Sequence, residues 1–479
     1  MRRDKIRLLV CYGVAALSGI LLSVSYSAHP LWWAAWLAPV PAILATMRAP
    51  AAHRRWLAVV TGAVGGVGSF SYHLELTGWI ATLTIFILVA LAWSTAVRLV
   101  VVFAERRQFP LALLAIPVTW AAIDTLLIHI SPHGSAGSIA YSQMDALPVI
   151  QVASLGGIPA ITFVVLLGGS LVGLLLARSP DWDGRSVLIP SILALLVVGA
   201  TIAFGTMRLG HANVSPETSV ALIATDGVGQ QPRSWEAFWR IYGLPITRVA
   251  KPGSIVVLPE AVVRLPLAAA EDAARSLAAL ASKSRSTVIA GIMVDAPNQL
   301  TNRALIARPD GTSYWYEKQR LIPGIEAGIT PGSRPLVLPF GSGGVGVAIC
   351  KDMHFPTLAR TYRERSAQLM VVPAYDFEVD DWLAARMTVL RGVESGVSIA
   401  RAARGGISFV SDRYGRVIAE RRSDSEMGVL LARVPIDRGS KTVYTSLGDA
   451  FGWTCVIAWA VLLAFRLGWF RKLSGRRNP

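Results

Sequence analysis

Apolar residues crowd two parts of this chain, from its start to about residue 207 and again over 448–467, and a block of ordinary polarity lies between them. Hydrophobic runs in the apolar parts reach the roughly 20 residues that a helix needs to cross a bilayer. The pattern predicts spans at 6–26, 31–47, 56–75, 78–104, 109–130, 150–177, 187–207 and 448–467. The second is short, and Pro39 and Pro41 within it predict a kinked or partly re-entrant segment. So many runs in series argue against buried helices of a soluble core.

From about Pro216 the pattern changes. Short runs rich in Val and Ile alternate with amphipathic stretches. SVALIATDG, SIVVLPEA, STVIAGIMVD, RALIARPDG, SYWYEKQR, GGVGVAIC, AQLMVVPAYD and GVLLARVPI read as strands, with more strand character in SIARAARGGISFVSDRYGRVIAE. EAFWRIYGLPITRVAK and AAAEDAARSLAALASKS have helical spacing, and the second is built of strong helix formers. Runs apolar on both faces suggest central strands covered by helices. The expected architecture is a multi-pass helical membrane bundle of about eight spans carrying an inserted α/β layered sandwich. Its expected parts are a membrane domain over 1–210, an α/β domain over 215–440, a final span at 448–467 and a basic tail at 468–479.

Composition agrees, with 53% hydrophobic and 16% charged residues and a mean hydropathy of +0.50. The net charge of +16 comes largely from Lys and Arg in alternate loops: the start MRRDKIR, Arg48, Arg54 and Arg55, Arg106 and Arg107, Arg178 and Arg185, and the tail. The intervening loops 27–30, 74–78 and 131–148 hold no Lys or Arg. With eight spans every basic loop falls on the cytoplasmic side, and the α/β block then lies outside the cytoplasm. No nucleic-acid motif accompanies the charge.

Three residues in the polar block stand where strands end. Glu260 follows IVVLP, Lys318 closes SYWYEK after a turn at Asp310 and Gly311, and Cys350 ends GGVGVAIC. Taken singly, Glu260 and Lys318 are ordinary surface charges and Cys350 a small buried hydrophobe. Cys350 is, however, the only cysteine outside the hydrophobic stretches, which hold Cys11 and Cys455. A free thiol outside the cytoplasm is exposed to oxidation, which favours a shielded or reactive role. In the order Glu, Lys, Cys the three make a nucleophilic acyl-transfer site. Glu260 is the expected general base, Lys318 the cation that depresses the thiol pKa and stabilises an oxyanion, and Cys350 the nucleophile. A Cys350–His354 pair is the rival constellation.

On these motifs the chain resembles the nitrilase or carbon–nitrogen hydrolase superfamily. PE of LPEA, K of YEKQRLIP and C of VAICKDMHFP match its Glu-Lys-Cys triad. With the membrane spans, the resemblance narrows to the apolipoprotein N-acyltransferase family and runs almost end to end. It includes LWWAAWLAPVPAIL, AYSQ at 140–143, KQRLIPGIE and KTVYTSLGDAFGW. It implies a nitrilase-like sandwich, Glu326 as a second essential glutamate, a phospholipid donor and a diacylated lipoprotein acceptor. It also implies a monomer in the bacterial inner membrane with its catalytic domain on the periplasmic side. No metal or organic cofactor is indicated.

Several positions depart from the family pattern. Leu258 stands for an aromatic before the Pro-Glu pair, Lys351 for an aromatic after the nucleophile, and Asp352 is the acid that follows. PAYDFEVDDW, ending in Trp382, replaces the usual asparagine, aspartate and tryptophan run. Asn302 corresponds to the family's strand asparagine without its tyrosine neighbour. Glu326, Lys351, Asp352, Asn302 and Trp382 are therefore the expected supporting or substrate-binding residues. The altered pocket leaves two alternatives open, a membrane-tethered amidase and a non-catalytic lipid-binding relative. Inside the membrane, Asp124 is expected to face the bundle interior, as a structural polar contact or beside a lipid headgroup, and Trp32, Trp33 and Trp36 to form an interfacial belt.

Overall fold

In a computed structural model of the chain, the described residues are 2–178, 182–210, 216–341, 343–436, 439 and 441–466. They form two compact units. One comprises Met1–Ser131, Gly137–Leu209 and Leu447–Pro479, and the other Pro132–Ala136 and Gly210–Ser446.

The first unit is helical. Arg3–Ser25, Ala51–Glu75, Gly78–Glu105, Phe109–Ile130, Ala153–Leu176 and Gly184–Leu209 are long and apolar enough to cross a membrane. Gly78 separates the second from the third with a φ of 75°, a conformation open to glycine and strained for other residues. The expected span at 31–47 is instead two short helices, Trp32–Leu37 and Pro39–Arg48. Proline has no N–H to donate and suits a first helical position, so Pro39 begins a new helix. The expected last span is a helix of 17 residues, Ala450–Arg466, reaching the end of the described residues. Among the described residues, then, six of the eight expected spans have full length.

Helix Gly184–Leu209 exposes Leu188, Ile189, Leu193, Leu195 and Leu196, a surface suited to hydrocarbon. Trp36 is half-buried, and its indole N–H donates to Gln143 Oε1 at 2.8 Å. Trp32 and Trp33 remain exposed. Asp124 is buried in the bundle, where Oδ2 accepts from the hydroxyls of Ser138 and Thr162.

The second unit holds thirteen strands among the described residues. In chain order they are β1 Glu217–Ala224, β2 Ile255–Val257, β3 Val263–Pro266, β4 Thr287–Ala296, β5 Gln299–Ala307, β6 Ser313–Glu317, β7 Leu336–Phe340, β8 Gly343–Val347, β9 Ala367–Tyr375, β10 Ser398–Arg404, β11 Ile407–Ser411, β12 Val417–Arg422 and β13 Gly428–Pro435. One sheet runs β13-β1-β2-β4-β5-β6 with β3 beside β4, and the other runs β12-β11-β10-β9-β8-β7. The central pairs β1–β2, β2–β4, β8–β9 and β9–β10 are parallel. The two sheets touch through β1 with β10 and β4 with β9.

Helices cover the outer faces. Leu267–Ser284 buries Ala270, Ala273, Ala274, Leu277, Ala278 and Ala281, the i, i+3, i+4 stripe of an amphipathic helix. Each leucine buried like Leu277 contributes ~1.5–3 kcal/mol. Trp235–Val249 lies in the same core, started by Ser234, whose side chain accepts from Ala237 N–H. Pro356–Glu364 and Asp381–Ser395 cover the second sheet. The result is the expected α/β layered sandwich, helix–sheet–sheet–helix, and it brings strand ends from both sheets to one place.

Candidate active site

Glu260 stands three residues beyond β2, Lys318 directly after β6, and Cys350 three residues beyond β8. The first two strands belong to one sheet and the third to the other. All three side chains are buried, with residue exposures of 4%, 1% and 6%. Lys318 Nζ donates to Glu260 Oε1 at 2.7 Å and to Glu326 Oε1 at 2.9 Å. Asn302, within β5, donates its amide to the same two oxygens at 2.6 and 3.2 Å. The remaining oxygens take backbone donors, Glu260 Oε2 from Tyr375 N–H at 3.0 Å and Glu326 Oε2 from Ile322 N–H at 2.7 Å. Two buried carboxylates thus share one ammonium and one amide.

The thiol joins this group through Tyr375. Cys350 Sγ donates to Tyr375 O at 3.5 Å, while Tyr375 N–H holds Glu260. One residue at the end of β9 therefore touches both. The thiol's hydrogen bond does not go to an imidazole. His354 is pushed well below its ordinary pKa by burial, with the charges of Lys351, Arg401 and Lys318 adding to it. Its carbonyl receives Ser135 N–H at 3.1 Å and Ser135 Oγ at 2.7 Å.

Backbone shape aims the thiol. Cys350 has a φ of 43°, a strained value for a non-glycine residue that needs its surroundings to enforce it. Asp352 does the enforcing. Its carboxylate accepts Ile349 N–H at 2.9 Å and Tyr316 OH at 2.7 Å on one oxygen, and Gln319 and Arg320 N–H at 3.0 and 2.8 Å on the other. Asp352, expected to support the site or bind substrate, thus ties the cysteine turn to the segment that carries Lys318. Burial still pushes its carboxyl up to about 6, against the pull of these donors and of Lys318.

Electrostatics divides the site. Burial opposes a charge on Lys318, but Glu260, Cys350 and Glu326 outweigh it and hold the ammonium above its ordinary range. Cys350 goes the other way from expectation. Burial, with Glu260 and Asp376 beside it, pushes the thiol well up, and the opposing pull of Lys318 and Arg401 does not compensate. The resting sulfur is a thiol, so attack needs a base that removes its proton as the bond forms.

Two features here lay beyond the sequence pattern. Arg401 makes a two-pronged, fully buried ion pair with Asp376, next to the residue that bridges Glu260 and Cys350. Tyr375 contributes through its peptide group, which no side-chain motif marks. Trp382 lies at the start of helix Asp381–Ser395, where the Arg386 guanidinium sits 5.5 Å from its ring centre. Lys351 is buried next to Cys350 with its Nζ unpartnered among the described residues.

Comparison with known proteins adds to this geometry. Residues 18–171 match the family model of the apolipoprotein N-acyltransferase N-terminal domain, and residues 236–444 match that of carbon-nitrogen hydrolases. An apolipoprotein N-acyltransferase of Geobacter metallireducens is 26% identical over 95% of both chains. One of Pasteurella multocida is 22% identical over 97% of this chain and 96% of its own. Among solved structures, an amidase from Nesterenkonia sp. is similar over 46% of this chain and 91% of its own, at 22% identity and a TM-score of 0.40.

Proposed function

The chain belongs to the apolipoprotein N-acyltransferase family, and on that premise we propose that it carries an acyl chain from a phospholipid, through a thioester on Cys350, to the N-terminal amine of a diacylglyceryl-cysteine lipoprotein. In the first half-reaction Cys350 Sγ attacks the ester carbonyl while Glu260 takes its proton. The oxyanion is met by the Lys318 ammonium and a backbone N–H of the turn starting at Cys350. Collapse breaks the ester C–O bond, and the departing lysophospholipid oxygen takes the proton from Glu260. In the second, the neutral amine attacks the thioester and gives a proton to Glu260. The C–S bond breaks, the sulfur recovers that proton, and an amide remains.

Glu326 and Asn302 position Lys318 and Glu260 in this reading, and Asp352 holds the nucleophile turn. The observation that carries the proposal is the meeting of a buried, unpaired thiol with a carboxylate and an ammonium, linked through Tyr375 and a 2.7 Å ion pair. The membrane helices account for two lipid-anchored substrates. The charge pattern of the short loops supports a periplasmic position for 215–440, with the helices in the bacterial inner membrane.

The test is to incubate purified protein with labelled phospholipid and a diacylated lipopeptide. An acyl adduct on Cys350 and N-acylated peptide are expected, and Cys350→Ala should give neither. Free fatty acid without acylated peptide would mean that water takes the thioester and would sink the transferase reading.

A further inference from the structure

Lys351 directly follows the nucleophile, is 2% exposed, and has no hydrogen-bond partner for its Nζ among the described residues. The charges around it are already engaged. Lys318 holds Glu260 and Glu326, and the second oxygens of those carboxylates hold backbone N–H groups. An ammonium has three donors and no acceptor, so burying one with none of them satisfied is costly. A methionine of similar length would fill the same volume without that cost. The position therefore keeps a charge that the protein itself does not use.

The two substrates of the proposed reaction differ in what they offer it. The acyl donor carries an anionic phosphodiester one glycerol away from the ester under attack. The acceptor brings an amine, a thioether and neutral esters, with no anion at the reacting end. Consecutive Cα atoms lie about 3.8 Å apart, so a lysine stem beside Cys350 works on the length scale that separates the ester from its phosphate. We propose that the Lys351 ammonium binds the phosphodiester of the acyl donor, and so selects phosphate-bearing esters over neutral ones in the first half-reaction. This inference rests on the acyl-transfer reading above.

The electrostatic setting fits an anion that comes and goes. Burial, reinforced by Lys318, brings Lys351 down to about 8, while Glu326 and Cys350 pull the other way. An arriving phosphodiester would favour the ammonium and supply the acceptors that it lacks.

The experiment follows single-turnover acylation of Cys350 by intact mass, using the full chain in detergent. The donors are a phosphatidylethanolamine and a diacylglycerol with the same acyl chains. Lys351→Met should slow acylation by the phospholipid ~10- to 100-fold, the range of a charge-assisted hydrogen bond, and leave the diacylglycerol rate within about threefold. Lys351→Arg should keep most of the preference for phospholipid. A Tm at or above that of the wild type shows that the Met variant is folded. Equal slowing with both donors would overturn the inference in favour of a structural or general catalytic role. Normal acylation with slowed transfer to lipopeptide would also overturn it, making Lys351 a partner of the amine. If the wild-type protein forms no acyl-Cys350 from either donor, the acyl-transfer reading falls and this inference with it.

Discussion

Asp124 in the helical unit and Glu260 in the α/β unit are both nearly sealed from solvent, at 2% and 4% exposed, yet their partners differ in kind. Asp124 Oδ2 accepts from the hydroxyls of Ser138 and Thr162, neutral groups that satisfy lone pairs and join helix Phe109–Ile130 to Ala153–Leu176 and the loop between. Glu260 accepts from an ammonium, an amide and a backbone N–H, and shares a residue with a free thiol. Burial alone therefore does not distinguish the two carboxylates. A buried counter-charge and a neighbouring thiol do.

Removing the counter-charge should break this contrast most sharply. Lys318→Met leaves Glu260 and Glu326 buried without a cation, and breaking a buried pair from one side costs ~3–5 kcal/mol. It also removes the proposed oxyanion partner, a loss of ~100- to 1,000-fold for a single such donor. Both a lowered Tm and near-complete loss of the Cys350 acyl adduct are expected. A stable variant with ordinary adduct formation would show that the Glu260–Lys318–Glu326 network is only structural.

How far these regions could be read in the sequence follows the range of the interactions. Full-length helices such as Gly184–Leu209 were legible because length and hydropathy are local properties. The break at 38–39 was harder, since Pro39 permits either a kink or a new start. Strand ends at Glu260, Lys318 and Cys350 were visible from runs of Val and Ile. Helix Asp381–Ser395 was not, because Arg391 and Glu394, both 0% exposed, pair with each other inside it at 3.1 Å and blur the polar stripe that marks a surface helix. The Asp376–Arg401 pair and three of the four donors of Asp352 join segments tens of residues apart, beyond any local pattern. Asp352 could only be seen as an acid near a cysteine; that it braces a strained turn depends on where Gln319 and Arg320 fold.

A second prediction sharpens the contrast within the α/β unit, between the paired Lys318 and the unpaired Lys351. The fold holds Lys351 at about 8 against an ordinary lysine value near ~10.4. Between those two values the unfolded chain binds more protons, so stability rises with pH across that window. Below about pH 8 the buried ammonium is a burden of up to ~3 kcal/mol, at 1.36 kcal/mol per unit. Lys351→Met should therefore raise Tm at pH 7, by an advantage that fades as pH climbs from about 8 towards 10.5. Tm measured across that range checks it. A variant less stable than wild type at pH 7 would mean that Lys351 is satisfied by contacts of its own.

The smallest effect is expected where the comparison began. Asp124→Asn retains a side-chain oxygen that can accept from Ser138 and Thr162, and it trades the charge and the second oxygen for an amide NH2. If neutral donors are all that position needs, stability should change by no more than ~1 kcal/mol, the scale of one neutral hydrogen bond, and acyl transfer should stay within about twofold. Asp124→Leu removes the acceptor, leaves two buried hydroxyls unpaired and should cost ~1–3 kcal/mol, while the rate per folded molecule stays unchanged. Glu260→Gln makes the opposite case, because there the lost charge is the proposed base, and Cys350 acylation should collapse even with the fold intact. Rates and Tm for the three variants side by side decide the matter. If Asp124→Asn silenced transfer as Glu260→Gln does, the charge at 124 would be part of the function, and the line drawn between the two carboxylates would have to be erased.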